Sequence, residues 1–367
     1  MEGPKLKVVV CSLWKYEAGA VSGAQMFEHA GESAGPNWKL WLFLTAILVA
    51  LVGTLVWILR TTHMPLKSFT GQLAPLTTEE AEMSQRLSQH VRFLSETVGE
   101  RNLSKAGTLE AAADYLRASL EQAGYTVTEQ SYSVRNHQVR NLEVKLVGGK
   151  NGGETVVVGA HYDSVQGSPG ANDNASGVAA VLELAHLFRG FTPRKTIRFV
   201  LFVNEEPPYF QTESMGSVVY AKQLHADHVP VSAMISLETI GYYSDAQGSQ
   251  KYPDLLGLLY PKRGDFIGFV GNPSSRDLLH AVVRRFRETT RFPSEGIAAP
   301  EQWPGVGWSD HWSFWQENYP AIMVTDTAPF RYPYYHTAHD TANHVDFARM
   351  SRVVGGLRRV VESLSAD

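Results

Sequence analysis

The 367-residue chain has 44% apolar residues, enough for a packed core, which excludes disorder along its whole length. A net charge of −4 without a basic cluster argues against a nucleic-acid partner. The only cysteine, Cys11, excludes an intrachain disulfide scaffold.

Residues 1–38 mix charges and glycines without an amphipathic period and read as an N-terminal tail. Within it, Gly31–Gly35 spells GESAG and matches the G-x-S-x-G pattern of a hydrolase nucleophile elbow. That elbow needs a strand before it and a helix after it, and a membrane-type span follows instead, so the match is set aside. Residues 39–60 read as a transmembrane helix. Leu40–Leu59 runs without a charge between Lys39 and Arg60, and about twenty apolar residues are what a helix needs to cross a bilayer. Trp38, Trp41 and Trp57 lie near its ends, where interfaces favour aromatic rings. A buried core helix fits poorly because no polar face interrupts the run. A cleaved signal peptide fits poorly because the run is long and starts late. Lys39 on one side and Arg60 and Lys67 on the other do not decide the orientation. The expectation is a short tail inside and an extracytoplasmic domain held to the lipid bilayer through residues 40–59. The oligomeric state is left open.

Residues 61–75 read as a linker and 76–367 as one catalytic domain. Glu79–Val98 and Thr108–Ala123 have amphipathic helical spacing, the second closed by Gly124. Val139–Leu146 and Thr155–Ala160 read as strands, and Ser176–Arg189 as a helix. Thr196–Val203, Val231–Leu237, Phe266–Val270 and Ala321–Val324 are apolar or β-branched runs of strand length. Helices recur at Ser275–Thr289 and Phe347–Leu364. The alternation predicts an α/β fold with a mostly parallel mixed sheet covered by helices on both faces.

Four of these strands end on metal-type side chains. TVVVGA leads to His161, TIRFVLFV runs into Glu205 and Glu206, VSAMISL ends at Glu238, and AIMV leads to the segment holding His336. Ligands in open α/β sheets bind beyond the carboxyl ends of the strands. Singly, each residue has an ordinary reading: a structural histidine, or solvated surface carboxylates. Jointly they point to a metal, because a carboxylate such as Glu238 within an apolar run is costly to bury without a cationic partner. Imidazole and carboxylate donors suit zinc, and the domain has no thiolate for a four-cysteine site. Five donors exceed what one catalytic zinc takes from protein, whereas two ions sharing a carboxylate at ~3.5–4 Å would use them.

The motifs GAHYDS (159–164), GANDNASG (170–177), NEE (204–206), SLETIGY (236–242), SDHWSF (309–314) and YHTAHDT (335–341) resemble the M28 zinc peptidases. The likeness covers about residues 95–350, and NEEPP with TESMGS (212–217) is similar to a bacterial membrane-anchored branch. It implies two zinc ions, one bound by His161 and Glu238, the other by Glu206 and His336, with Asp173 bridging them. It makes Asp163 the residue that accepts the His161 N–H and sets its tautomer. Glu205 becomes the general base acting on a metal-activated water, and Tyr335 a candidate donor to the oxyanion. Asp310 and His311 are implied to line the substrate pocket. The resemblance also implies a non-proline cis peptide at Asp173–Asn174.

Many aminopeptidases of this family have aspartate where this chain has Glu238, and related two-zinc carboxypeptidases use glutamate there. The expected activity is therefore a peptide-hydrolysing exopeptidase, an aminopeptidase first and a carboxypeptidase second. A glutaminyl cyclase-like acyltransferase with one zinc is the other enzyme reading. A non-enzymatic receptor-like domain fits least, since neither a ligand nor the base is missing.

Overall fold

The computed structural model describes residues 37–149 and 153–366. The expected tail, with its GESAG match and Cys11, lies outside the described residues apart from the last two positions. The chain divides into two compact units that meet between Thr54 and Leu55. Among its described residues, the first unit is the exposed apolar part of a helix, α1 (Trp38–Thr62), whose sequence is long and apolar enough to cross a membrane.

The second unit holds the helices α2 (Thr78–Arg92), α3 (Thr108–Gln122), α4 (Gly177–Leu187), α5 (Gly216–Ala226), α6 (Arg276–Thr289), α7 (His311–Gln316), α8 (Ala328–Arg331) and α9 (Phe347–Ala366). Its strands are β1 (Thr128–Val134), β2 (His137–Leu146), β3 (Thr155–His161), β4 (Thr196–Phe202), β5 (Val231–Glu238), β6 (Ile267–Gly271), β7 (Ser294–Ala298) and β8 (Ala321–Thr325). They form one eight-stranded sheet in the order β1-β2-β4-β3-β5-β8-β6-β7. The centre, β4-β3-β5-β8, is parallel, and the antiparallel pairs lie toward the edges.

Period-2 alternation divides the sheet's side chains between two cores. Ile197, Phe199, Leu201, Val156, Val158, Ile235 and Val324 join the larger core. Val200, Phe202, Val157, Met234 and Met323 point to the smaller one. Helices α4, α6 and α9 supply buried residues to the first, and α5 and α7 to the second. Strands buried on both faces read as nearly continuous apolar runs, which explains why β3, β4, β5 and β8 stand out in the sequence.

β3 lies between β4 and β5, so the chain leaves it toward one side and returns on the other. Such a reversal opens a crevice at the carboxyl ends of the strands. Gly177 lets α4 start close against that edge: a Cβ there would stand 2.3 Å from the Leu237 carbonyl oxygen. The preceding irregular turn, which carries Asp173, is thereby pressed against β5.

Candidate metal centre

Each central strand presents its last residue, or the turn just after it, to the crevice. His161 ends β3, Glu205 and Glu206 follow β4, Glu238 ends β5, and His336 follows the short α8 beyond β8. All are buried except His336, whose side chain is 31% exposed. Strained backbone is also present here. Asn204, Thr239 and His336 adopt positive φ of 59°, 46° and 57°, a region costly for residues other than glycine and typical of over-determined functional sites. The Asp173–Asn174 peptide is cis, as the resemblance implies.

Asp173 stands in the middle. Its Oδ1 lies 3.4 Å from His161 Nε2, and its Oδ2 lies 3.0 Å from His336 Nε2. His161 Nε2 is also 3.2 Å from Glu238 Oε2 and 3.8 Å from Glu205 Oε2. His336 Nε2 is 3.4 Å from Glu206 Oε2. Two donor groups result, His161–Asp173–Glu238 and Asp173–Glu206–His336, each with its ligand atoms within 4.8 Å of one another. A third grouping joins His161 to Glu205 and Glu206. The buried Nε2 atoms of His161 and His336 have no hydrogen-bond partner among the described residues. Orphaned imidazole nitrogens facing carboxylates fit a cation, and the donor types fit zinc.

The protonation tendencies follow from burial and like charge. Burial, with Glu238, Asp310 and Asp163 nearby, pushes Glu205 well above the usual carboxylate range despite the pull of His161. Burial and Asp173 do the same for Glu206. Glu238 is raised too, chiefly by burial. For His161 burial works against the charged ring, yet Glu238 and Glu205 outweigh it and hold the imidazole well above its ordinary value. Burial would raise Asp173, but the facing His161 and His336 win and lower it.

Asp163 does more than face the histidine. Its Oδ1 accepts the Glu205 N–H and its Oδ2 the Glu206 N–H, both at 3.0 Å. His161 Nδ1 lies 3.2 Å from the Asp163 carbonyl oxygen and 3.5 Å from Oδ1. One aspartate thus sets both the imidazole and the backbone of the glutamate pair. Tyr335 stacks on His336 with ring centres 3.8 Å apart, and burial, with Asp173 next, pushes its hydroxyl up so that it stays protonated. Asp310 is buried near His161 and Glu205, and burial pushes its carboxyl up to about 7. His311 turns elsewhere: its Nε2 meets the Val306 carbonyl at 2.7 Å and its ring packs on Trp315 at 4.5 Å. Burial lowers this imidazole to about 4.

Several supporting residues escaped the sequence reading. Asp340 accepts the backbone N–H of Asn172 at 2.8 Å and of Asp173 at 3.0 Å, with the Tyr332 hydroxyl at 2.8 Å. Ser309 donates to Glu238 Oε2 at 2.8 Å. The fully buried Arg101 donates to the carbonyls of Tyr162, Leu94, Gly99, Pro169 and Gly170, clasping the loop between His161 and Asp173. Asp340 sits inside the quoted YHTAHDT motif, so its position was visible although its task was not. Nothing in the sequence around Arg101 marks it. Beside Glu238 and Tyr335 opens an apolar cavity of about 110 Å³, walled by Trp303, Val306, Met323 and Phe330 among others.

A mixed sheet with imidazole and carboxylate donors at its carboxyl edge defines an enzyme of the zinc-exopeptidase type of fold. Residues 141–361 match peptidase family M28, and the chain belongs to that family. The uncharacterised protein YfbL of Escherichia coli K12 is 37% identical over 292 residues, covering 77% of this chain and 88% of YfbL. Among solved structures, BSAP, a zinc aminopeptidase from Bacillus subtilis, superposes with a TM-score of 0.62 at 14% identity, over 77% of this chain and 95% of that one. A glutaminyl cyclase from Bacteroides thetaiotaomicron superposes with a TM-score of 0.58 at 19% identity, over 76% of this chain and 97% of that one. At these identities the two superpositions establish the fold and do not choose between the two chemistries.

Proposed function

We propose that the chain is a two-zinc aminopeptidase, held to a bilayer by residues 39–60 with its catalytic domain, 76–367, on the extracytoplasmic side. Asp173 carries the reading. Its two carboxylate oxygens face different imidazoles, at 3.4 Å and 3.0 Å, as a ligand shared by two ions does. His161 and Glu238 would complete one site, and Glu206 and His336 the other. When bound, zinc in such a cradle supplies Lewis acidity, polarising a carbonyl and acidifying water.

The chain's own residues do the rest. Glu205, fixed by Asp163 through its backbone N–H, takes a proton from the attacking water and returns it to the leaving amine. Asp163 also holds Glu206 and orients His161. Tyr335, kept protonated, donates to the oxygen that gains charge. Asp310 supplies a buried acid next to Glu205. His311 acts on the cavity wall through Val306. The cavity beside Glu238 receives the first side chain of the peptide.

Metal analysis of the purified full chain, paired with hydrolysis of free-amine and N-blocked substrates, tests the reading. Two metal equivalents and cleavage of amino-acyl amides are expected. Glu205→Gln should lower kcat at least about a hundredfold with the metal still bound. Cleavage of N-blocked peptides alone would assign a carboxypeptidase instead. One metal equivalent with pyroglutamate formation would assign the cyclase chemistry.

A further inference from the structure

A patch of apolar side chains stands uncovered near the end of α1. Leu258 is 79% exposed, Leu259 53% and Trp308 45%. Contiguous apolar surface of this sort marks a site of interaction.

Direct contacts join the patch to the helix end. Tyr260, one residue beyond the leucines, donates its hydroxyl to the Gly296 carbonyl at 2.8 Å. Met64, two residues past α1, packs on that same glycine so closely that a Cβ there would stand 2.7 Å from its sulfur. Trp57, in the last two turns of α1, meets Trp303 edge-on at 5.4 Å. Lys251 N–H donates to the Phe330 carbonyl at 2.8 Å, and Phe330 stacks on Trp308 with centres 6.4 Å apart. Trp303, Trp308, Tyr260 and Phe330 all border the apolar cavity beside Glu238. Helix end, leucine turn and cavity rim are therefore joined through a short chain of direct contacts.

The chain leaving α1 is also tied down. Arg276 Nε donates to the Arg60 carbonyl at 2.9 Å, and Arg287 Nη1 donates to those of Pro65 and Leu66 at 3.1 Å and 2.8 Å. Ser294 N–H donates to Ser68 Oγ at 2.9 Å. These bonds tie the stretch from Arg60 to Ser68 to α6 and to the start of β7. Exposed Lys251, Lys262 and Arg263 flank the leucines in sequence, and exposed Arg60 and Lys67 flank the end of α1; such charges favour an anionic lipid surface.

We propose that Leu258, Leu259 and Trp308 rest in the headgroup boundary of a bilayer, so that the cavity beside Glu238 opens at the lipid surface. The inference rests on the reading of α1 as a membrane span. Exposed leucines beside basic residues, with tryptophan at the rim, are the side chains that partition into that boundary. Peptides already held at the interface then reach the cavity from the membrane.

The test uses the full chain in vesicles of phosphatidylcholine and phosphatidylglycerol. In a Cys11→Ser background, single nitroxides replace Leu258, Val49 in α1, and Glu121 on α3, which packs near the opposite edge of the sheet. Labels at 258 and 49 should be relaxed by oxygen and shielded from a water-soluble nickel chelate, and the label at 121 the reverse. A shielded label at 49 with an aqueous one at 258 overturns the inference and leaves the anchor standing. Aqueous labels at both positions overturn the anchor and the inference with it. These depths are read whether or not any peptide is cleaved. In a second arm, Leu258→Asp with Leu259→Asp should lower kcat/KM about tenfold on a peptide with a C-terminal palmitoyl chain, and leave a soluble dipeptide amide unchanged. Equal effects on the two substrates count against the inference, as does a patch shielded only by a second copy of the chain.

Discussion

Asp340 holds the backbone of Asp173, the carboxylate that faces both imidazoles. Its two oxygens accept the backbone N–H groups of Asn172 and Asp173, so the peptide that carries Asp173 cannot rotate while both bonds stand. A buried carboxylate is an unusual tool for fixing a backbone, since burial pushes this one up to about 6. The two amides and the Tyr332 hydroxyl oppose that shift by bonding the charged form. An asparagine has one acceptor oxygen and would set an NH₂ against one of the two amides. Asp340→Asn should therefore weaken metal binding about 10- to 100-fold, as losses around a ligand commonly do. An unpaired buried N–H adds a stability cost of about 1–3 kcal/mol. Competition with a chelator measures the affinity and thermal unfolding of the metal-free chain the stability. A fall in stability with unchanged metal affinity would make Asp340 a structural acid only.

At the scale of elements, α2 and α3 meet through a titratable contact. His90 Nδ1 lies 2.7 Å from the Tyr115 hydroxyl, and Phe93 stacks on the same ring at 3.8 Å. Burial, with Arg86 and His186 nearby, lowers the imidazole to about 4. The unfolded chain protonates at the ordinary value of about 6.5, so the folded state binds fewer protons between the two. This contribution is fully present above about pH 6.5 and is lost as pH falls toward 4. The loss runs to about 1.4 kcal/mol per pH unit, an upper bound for a ring with some solvent contact. Buried acids such as Asp310 and Asp340, raised to about 7 and about 6, work in the opposite sense over this range. The contribution is therefore read as the difference between the metal-free wild-type and His90→Gln chains unfolded at pH 7, 6 and 5, which should shrink by that amount as pH falls. An identical slope in the variant would sink the assignment. The same elements mark what the sequence could reveal. Strands β3, β4, β5 and β8 were legible because both their faces are buried, and their ends fell within a residue or two of those expected. β1 was missed because TEQSYSV at the sheet edge is largely wet and lacks apolar alternation. β7, a short edge strand with a glycine, and α5, which starts on one, give similarly weak patterns. The side chains expected to meet at the metal centre were legible from strand ends and motifs. Arg101 and Asp340 were not, because their tasks exist only through partners distant in the chain.

For the molecule as a whole, the centre is an electrostatic liability that its fold alone does not offset. Asp163, Asp173, Glu205, Glu206, Glu238 and Asp310 crowd one crevice with His161 and His336, and all six acids are buried. Arg101 is close by and its charge opposes part of this repulsion, but among the described residues its side-chain hydrogen bonds go to carbonyls that hold the loop. Gathering like charges out of water is expensive unless a cation accompanies them. Five of these acids sit at the end of β5 or in the segments that follow β3 and β4, the middle of the sheet, so strain in the crevice is felt by the core. Ions that bind the folded chain alone stabilise it by about 4 kcal/mol at a thousandfold excess over Kd. In a domain of this size that is on the order of ten degrees in Tm. Removing metal with a chelator should lower Tm by about that amount, and returning zinc should restore it, with magnesium much less effective because the donors include imidazole. The Asp173→Asn chain should lose most of this metal-dependent rise, since the acid facing both imidazoles is gone. A Tm that ignores the chelator, measured on protein shown to have been loaded, would mean that the acids are held by the fold and not by ions.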